Sequence, residues 1–347
     1  MLVPLGIVVA LASQREWRDR LREPGPYVAV AVASAVFSPV LAWNAGHDWI
    51  SFAFQIQHGL GRATGSILRR EVDLLGGQMG LVSPILFVMM AVAVGHSIRT
   101  ALRAQSAPLS SLLSFLSLFV VVFFMYSATR RRVEANWPAL AYVPAVLVLV
   151  GHARSRRWDR WLNAGLVLAA TLTTVTYVNT FVAILPVPAT RDPAARASGW
   201  GDLAAAVHRA STSAEIASAD TGRVVRSSLS AVLWIAANRY QEASELAYHL
   251  PGNPETFSLN VGSRPNQYDL WPSFAQRATR GDALLLVVDD VAGTHPAVKG
   301  LAPHFRDVRQ GALVPLGRDG DLLKNVRIWQ LTDWRGTWPE RPLRSRP

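Results

Sequence analysis

Three long, mainly apolar stretches without a charged residue, at 79 to 98, 109 to 127 and 161 to 185, constrain this chain more than any other feature. A hydrocarbon layer of about 30 Å takes about 20 helical residues at 1.5 Å each, so each stretch is long enough to span it. Shorter runs at 27 to 43 and 138 to 152 contain Pro39 and Pro144, and fit kinked helices whose freed backbone groups are satisfied by neighbouring helices. A further run at 1 to 12 stops at Gln14, Arg15 and Glu16 and reads as a shortened helix. Ala10, Leu11 and Ala12 imitate a signal-peptide cleavage site, but no positive charge precedes the run. The expectation is a polytopic α-helical membrane region over residues 1–185, with about six helices.

Composition agrees with a membrane protein, because 17% of residues are charged against about 25% in a typical soluble chain. Zero cysteines removes disulfides, cysteine zinc sites and thiol nucleophiles and leaves the redox compartment open. The net charge of +11 could point to nucleic acid, a membrane surface or anionic substrates. Residues 1–185 carry 16 basic and 8 acidic residues and 186–347 carry 19 and 16, so the excess lies in the apolar half. Its arginines cluster in short loops, with no continuous basic stripe or stacking face, and nucleic acid is not an expected partner.

Cytoplasmic loops of membrane proteins are enriched in Lys and Arg. Loops 13–26, 99–108 and 153–160 hold ten arginines, whereas the longer set 44–78 and 128–137 holds six: Arg62, Arg69, Arg70, Arg130, Arg131 and Arg132. The second set therefore faces outward, and parity carries the tail outward with it. From about 186 the composition turns to Pro, Ala, Gly and charge, and a soluble extracytoplasmic domain, 186–347, is expected to begin in earnest near Gly199. Val232 to Ala237, Thr256 to Leu259 and Ala283 to Val288 read as short buried strands. Tyr240 to His249 and Trp271 to Thr279 read as helical connectors, which together suggest a small α/β layer.

Ile50, Phe52, Phe54 and Ile56 alternate with polar or small residues just after Trp43, Asn44, His47, Asp48 and Trp49. The tryptophans mark a membrane interface. The segment fits either an amphipathic stretch lying on the bilayer or an outer loop that helps form a substrate site, with His47 and Asp48 as candidate polar contacts. Gly59, Gly61 and Gly65 lack the strand and βαβ context of a dinucleotide fingerprint and instead shape a loop. Arg130, Arg131 and Arg132 on the outer face oppose the usual charge bias and ask for an anion. A lipid phosphate suits the planar donor fork of arginine; headgroup contact or snorkelling is the plain alternative. Glu134 either holds these arginines or contacts an acceptor, while Asn136 and Pro138 read as an ordinary capped helix start. Ser110, Ser114 and Ser117 have the small-residue spacing of close helix packing. No HExxH, GxSxG, Walker loop or paired-acid motif occurs, so no resident cofactor and no metal-ligating residues are expected, and dependence on a divalent metal is left open.

Ser38 to Asn44 with the following HDWISFAFQ, then Glu71 with Gly77 and Gln78, then VEANWPALAY from Val133 to Tyr142, resemble bacterial membrane glycosyltransferases of the protein O-mannosyltransferase and aminoarabinose transferase group, glycosyltransferase family 39 of the GT-C type. NRYQEASELAYHLPG, Asn238 to Gly252, and NQYDLW, Asn266 to Trp271, resemble the same family's extracytoplasmic end. The resemblance implies a multi-pass enzyme of the cytoplasmic (inner) membrane. It takes a sugar from a polyprenyl-phosphate carrier and transfers it, with inversion, to a glycan, lipid or protein acceptor of the cell envelope. It also implies further helices and an acidic general base upstream of Met1, so that 1–347 alone is expected to lack turnover. On this resemblance the carrier phosphate falls to Arg130, Arg131 and Arg132, and the cavity to His47, Asp48, Glu71 and Glu134. A non-catalytic binder of lipid-linked sugar and a transporter are the alternatives.

Overall fold

A computed structural model describes residues 2–13, 15–61, 65–103, 107–192, 194–220, 231–259, 266–318 and 320–339. Gln14, Arg62 and Pro193 lie outside the described residues. The chain forms two compact units, Met1–Tyr177 and Val178–Pro347.

The first unit is helical: α1 (Leu2–Ser13), α2 (Arg15–Asp19), α3 (Pro24–Ala45), α4 (Ile50–Leu60), α5 (Ile67–Val82), α6 (Pro84–Ala101), α7 (Pro108–Arg130), α8 (Tyr142–Arg156) and α9 (Asp159–Phe181), whose last turn enters the second unit. Among the described residues, five segments are long and apolar enough to cross a membrane: α3, α6, α7, α9 and Trp137–Arg154, which includes most of α8. The chain is a multi-pass membrane protein. In α3 and α9 only 6% of the spanning window is buried, so their apolar side chains have lipid to face. α1, at 12 residues, falls short of a span.

Pro39 stands inside α3, where it cannot donate to the Ala35 carbonyl one turn earlier. The Ser38 hydroxyl donates to that carbonyl instead, at 2.8 Å. Pro144 needs no such substitute, because it falls in the first turn of α8, where backbone donors lack intrahelical partners anyway. α5 and α6 meet at Ser83, whose φ of 74° breaks the helix and whose side chain caps α6 at Leu86 N. Ser117 donates to the Ala141 carbonyl at 2.9 Å and Ser110 shares a bond of 2.9 Å with Ser97, so two of the three spaced serines cross between elements. Buried Ser114 packs without a hydrogen-bond partner among the described residues.

The contacts sort the loops of this unit into two ends. At one end Trp17 Nε1 donates to the Pro108 carbonyl at 3.0 Å, and Ala10, Ala101 and Phe115 share a buried cluster. At the other, residues of 44–78 bond to residues of 127–137, as detailed below. The charge count had assigned loops to the same two sets.

The second unit comprises α10 (Trp200–Asp220), β1 (Leu233–Ala237), α11 (Tyr240–His249), β2 (Thr256–Ser258), α12 (Phe274–Arg277), β3 (Ala283–Asp289), α13 (Pro296–Leu301), β4 (Phe305–Arg318) and β5 (Asp321–Trp334). The sheet order is β2-β1-β3-β5-β4; β1 is parallel to β2 and β3, and β5 is antiparallel to β3 and β4. β3 is apolar from Ala283 to Val288 because both faces are covered there. Leu285 and Val287 point toward α10 and α11, and Leu284, Leu286 and Val288 toward α12 and α13.

The three expected strands and the 240–249 helix are present, and the second connector shortens to α12. The sequence reading lacked α10, α13 and the β4–β5 hairpin. Pro315 and Gly311 hid β4: the first is tolerable only because β4 lies at a sheet edge, and the second sits at a register shift between Gln310 and Leu313. A Cβ at Gly311 would lie 2.8 Å from the Ile328 carbonyl oxygen. Ordered packing also begins before Gly199, since buried Asp192 pairs with buried Arg318 at 3.2 Å and Ala195 is fully buried.

Candidate functional site

Three helix ends and one loop of the first unit converge around Arg70, Glu71 and Arg131. α7 ends at Arg130, leaving its last carbonyls without intrahelical donors. Arg70, on the first turn of α5, supplies them: Nε donates to Ala128 O at 2.9 Å and Nη2 to Thr129 O at 2.8 Å. A third bond, Nη1 to Gly65 O at 3.0 Å, ties the loop before α5 to the same guanidinium. Ser127 Oγ donates to Gly59 O at 2.5 Å and Arg131 Nη1 to Gln57 O at 2.9 Å, fastening the end of α4 to the end of α7.

The other half of the junction joins α5 to residues 133–142. Gln78 is buried; its Nε2 donates to Ala135 O at 2.9 Å and its Oε1 accepts from Tyr142 OH at 2.6 Å. Gly77 lets this loop approach, since a Cβ there would stand 2.9 Å from Ala135 Cβ. Leu74, Ala128 and Val133 form a small apolar cluster beneath, with Phe124, Met125 and Trp137 packed against it. The sequence pieces Gly77, Gln78 and VEANWPALAY are therefore one contact surface.

Within the junction two polar atoms are buried without a hydrogen-bond partner among the described residues: Glu71 Oε2 and Arg131 Nε. Burial pushes the Glu71 carboxyl above its ordinary range, against the pull of the adjacent Arg70 cation. A buried polar atom left unmatched is costly in an isolated protein and becomes a binding contribution when a ligand matches it.

The three arginines separate. Arg130 Nε donates to the Tyr126 hydroxyl at 3.0 Å, with its guanidinium over that ring. Arg132 lies exposed, 3.9 Å from Glu134, which is also exposed. Only Arg131 combines a structural tie, to Gln57 O, with an unmatched buried donor. Glu134 thus holds one arginine loosely rather than all three.

His47 and Asp48 stand at the α3–α4 corner. The His47 ring stacks on Trp43 at 4.1 Å and its Nδ1 lies 2.7 Å from Trp43 O, so its described contacts stay within its own turn. Asp48 and Trp49 both have positive φ, 52° and 56°, and reverse the chain. The corner is held by buried Asn44, which donates to Val40 O at 2.9 Å and accepts from Ser51 at 2.6 Å. Residues 50–60 are helical despite their two-residue alternation.

Asn136 departs from the capping expectation: its backbone is helical, its side chain caps nothing, and a 3₁₀ turn over Trp137–Ala141 starts with Pro138 in its first turn. Gly61 ends α4, and a Cβ there would lie 2.5 Å from Gln57 O; Gly65 has a φ of 108°. Those glycines serve the chain's course. The sequence reading missed Arg70, counted there only as loop charge; its signal is position, one cation at a helix start 58 residues from the carbonyls it caps. Among the described residues, no group of three or more His, Asp or Glu could hold a metal ion.

The chain is 34% identical over 123 residues, 35% of its length, to lipid A galacturonosyltransferase RgtD of Rhizobium johnstonii. The matched stretch spans a quarter of that relative's length. No family model and no solved structure matches.

Proposed function

We propose that this protein is, or forms part of, a membrane glycosyltransferase that takes a sugar from a polyprenyl-phosphate carrier and passes it to an acceptor outside the cytoplasmic membrane. The similarity to a lipid A galacturonosyltransferase supports the transferase class. The likeness of EANWPALAY and its partner loop to the protein O-mannosyltransferase and aminoarabinose transferase group supports a GT-C arrangement with 186–347 extracytoplasmic. The observation that carries the site is the unmatched Arg131 Nε beside the bonded ends of α4, α5 and α7. A departing carrier phosphate gains negative charge, and a donor already fixed in place stabilises it without reorganising. Glu71, in the same junction, presents an unmatched acceptor that suits a sugar hydroxyl.

Arg131 is accordingly the phosphate contact, with Arg130 and Arg132 contributing charge. Replacing each singly by Gln keeps polarity and removes the charge and the fork. Polyprenyl phosphate binding to the detergent-solubilised chain should weaken about tenfold or more for Arg131→Gln, the scale of one hydrogen bond to a charged group. Arg130→Gln and Arg132→Gln should weaken it less, and Arg99→Gln, at the other end of the bundle, not at all. Equal and negligible effects at Arg130, Arg131 and Arg132 would make them headgroup anchors and remove the site.

A further inference from the structure

The second unit holds a cavity of about 400 Å³ that the transfer chemistry does not use. Its floor is the outer side of β2, the edge strand of the sheet, which pairs with β1 alone. Its size falls within the roughly 300–1,000 Å³ common for small-molecule sites. Five aromatic side chains line it: Phe257, Tyr268, Trp271, Phe274 and Trp338. They brace one another edge-on or tilted, with Tyr268 and Trp271 centroids 5.1 Å apart, Phe257 and Phe274 6.0 Å, and Phe274 and Trp338 4.9 Å. Trp271 is 53% exposed, so part of its ring stands open to an incoming molecule.

The polar groups narrow the ligand. Ser258 is 4% exposed, lines the cavity, and its hydroxyl has no hydrogen-bond partner among the described residues. Thr256, two residues earlier on the same strand, has its hydroxyl satisfied by Ala243 O at 2.8 Å, so the orphan is particular to Ser258. At the rim Arg277 and Glu255 form an ion pair at 3.3 Å, each about half exposed, offering donors and acceptors side by side. An acyl chain would leave the Ser258 hydroxyl and the ion pair unmatched, at the cost that attends buried unpaired polar groups. A phosphate ester would meet the Glu255 carboxylate beside Arg277, the one cation among the described lining residues. A sugar ring has what the cavity asks for: a flat face of C–H groups for the aromatics, and edge hydroxyls that both donate and accept.

We infer that this cavity is a saccharide-binding site, taking a mono- or disaccharide unit with its ring against Trp271 and a hydroxyl on Ser258. Its described lining residues lie in 254–259, 268–277, Trp338 and α11, within the second unit, so the inference stands independently of Arg131 and of any transfer activity.

The test uses the full chain in a detergent without a sugar headgroup, since a glycosidic detergent would compete. Cellobiose, chitobiose and digalacturonate serve as neutral, N-acetylated and acidic probes, with decanoate and inorganic phosphate as the apolar and anionic rivals. Saturation-transfer NMR and tryptophan fluorescence titration report binding. At least one disaccharide should bind saturably in the millimolar range or tighter, and about tenfold or more weaker in Ser258→Ala and in Trp271→Ala. Trp161→Ala, in the first unit, should bind as the parent does. Ser258→Ala removes an unpaired hydroxyl, so its melting temperature should hold, which separates lost binding from lost fold. No saturable binding by any of the three disaccharides, binding indifferent to both substitutions, or preference for decanoate or phosphate at these residues would each overturn the inference.

Discussion

Asp282 shows how much a single side chain can organise. It is buried, and its two carboxylate oxygens accept from Val232 N at 3.0 Å, Trp234 Nε1 at 2.8 Å, Thr279 N at 2.9 Å and Thr279 Oγ1 at 3.2 Å, joining the starts of β1 and β3. Burial pushes its carboxyl up, but those bonds outweigh burial and hold it below the ordinary value. A carboxyl depressed by folding stabilises fully above its unfolded pKa, about 3.9, and the contribution fades as pH falls through the lower folded value. Unfolding of the second unit, followed by limited proteolysis, should therefore steepen in acid below about pH 4. Asp282→Ala should cost about 3 kcal/mol or more at neutral pH, because several buried donors lose their acceptor together, and should flatten the acid dependence. An Ala variant with unchanged protease resistance and unchanged acid profile would contradict this account.

At the scale of elements, the contact of α5 with the 133–142 loop depends on one missing Cβ. Gly76 has open space where a Cβ would stand, and Gly77 has Ala135 Cβ at 2.9 Å. Both are interior to the same helix, so alanine should gain helix propensity equally at each, up to about 1 kcal/mol. Gly76→Ala should therefore raise the melting temperature in detergent. Gly77→Ala should fail to raise it or should lower it, since overpacking costs typically about 1–3 kcal/mol. Adding Ala135→Gly removes the colliding atom and should restore the gain, read as a coupling energy in a double-mutant cycle. Identical behaviour of Gly76→Ala and Gly77→Ala would mean that the two elements do not meet there. How the elements were legible follows from their environments. β3 announces itself because both its faces are apolar, whereas β4 breaks its pattern with Arg306, Asp307, Arg309, Gly311 and Pro315 and β5 with Lys324, Arg327 and Asp333, and their 14-residue length appears only once they pair.

Across the whole molecule, the loop contacts and the loop charges agree on which loops share an end, and only the charges say which end faces outward. Alkaline phosphatase fused after Pro347 should be active in a bacterial host, and the same reporter fused at Arg103 should be inactive. The opposite pattern, with both fusions stably expressed, would reverse the topology. Sequence by itself determined the long apolar helices and the central strands, because each rests on local hydrophobic patterning over a few turns. The tertiary structure decided what no local pattern encodes: that Arg70 caps a helix 58 residues away, that Arg131 rather than its neighbours keeps an unmatched donor, and that Ser258 lines an aromatic cavity. In the sequence Arg130, Arg131 and Arg132 are three equal cations. They become unequal only when the ends of α4, α5 and α7 meet, because whether a polar atom is satisfied depends on groups brought near it by the fold rather than by the chain.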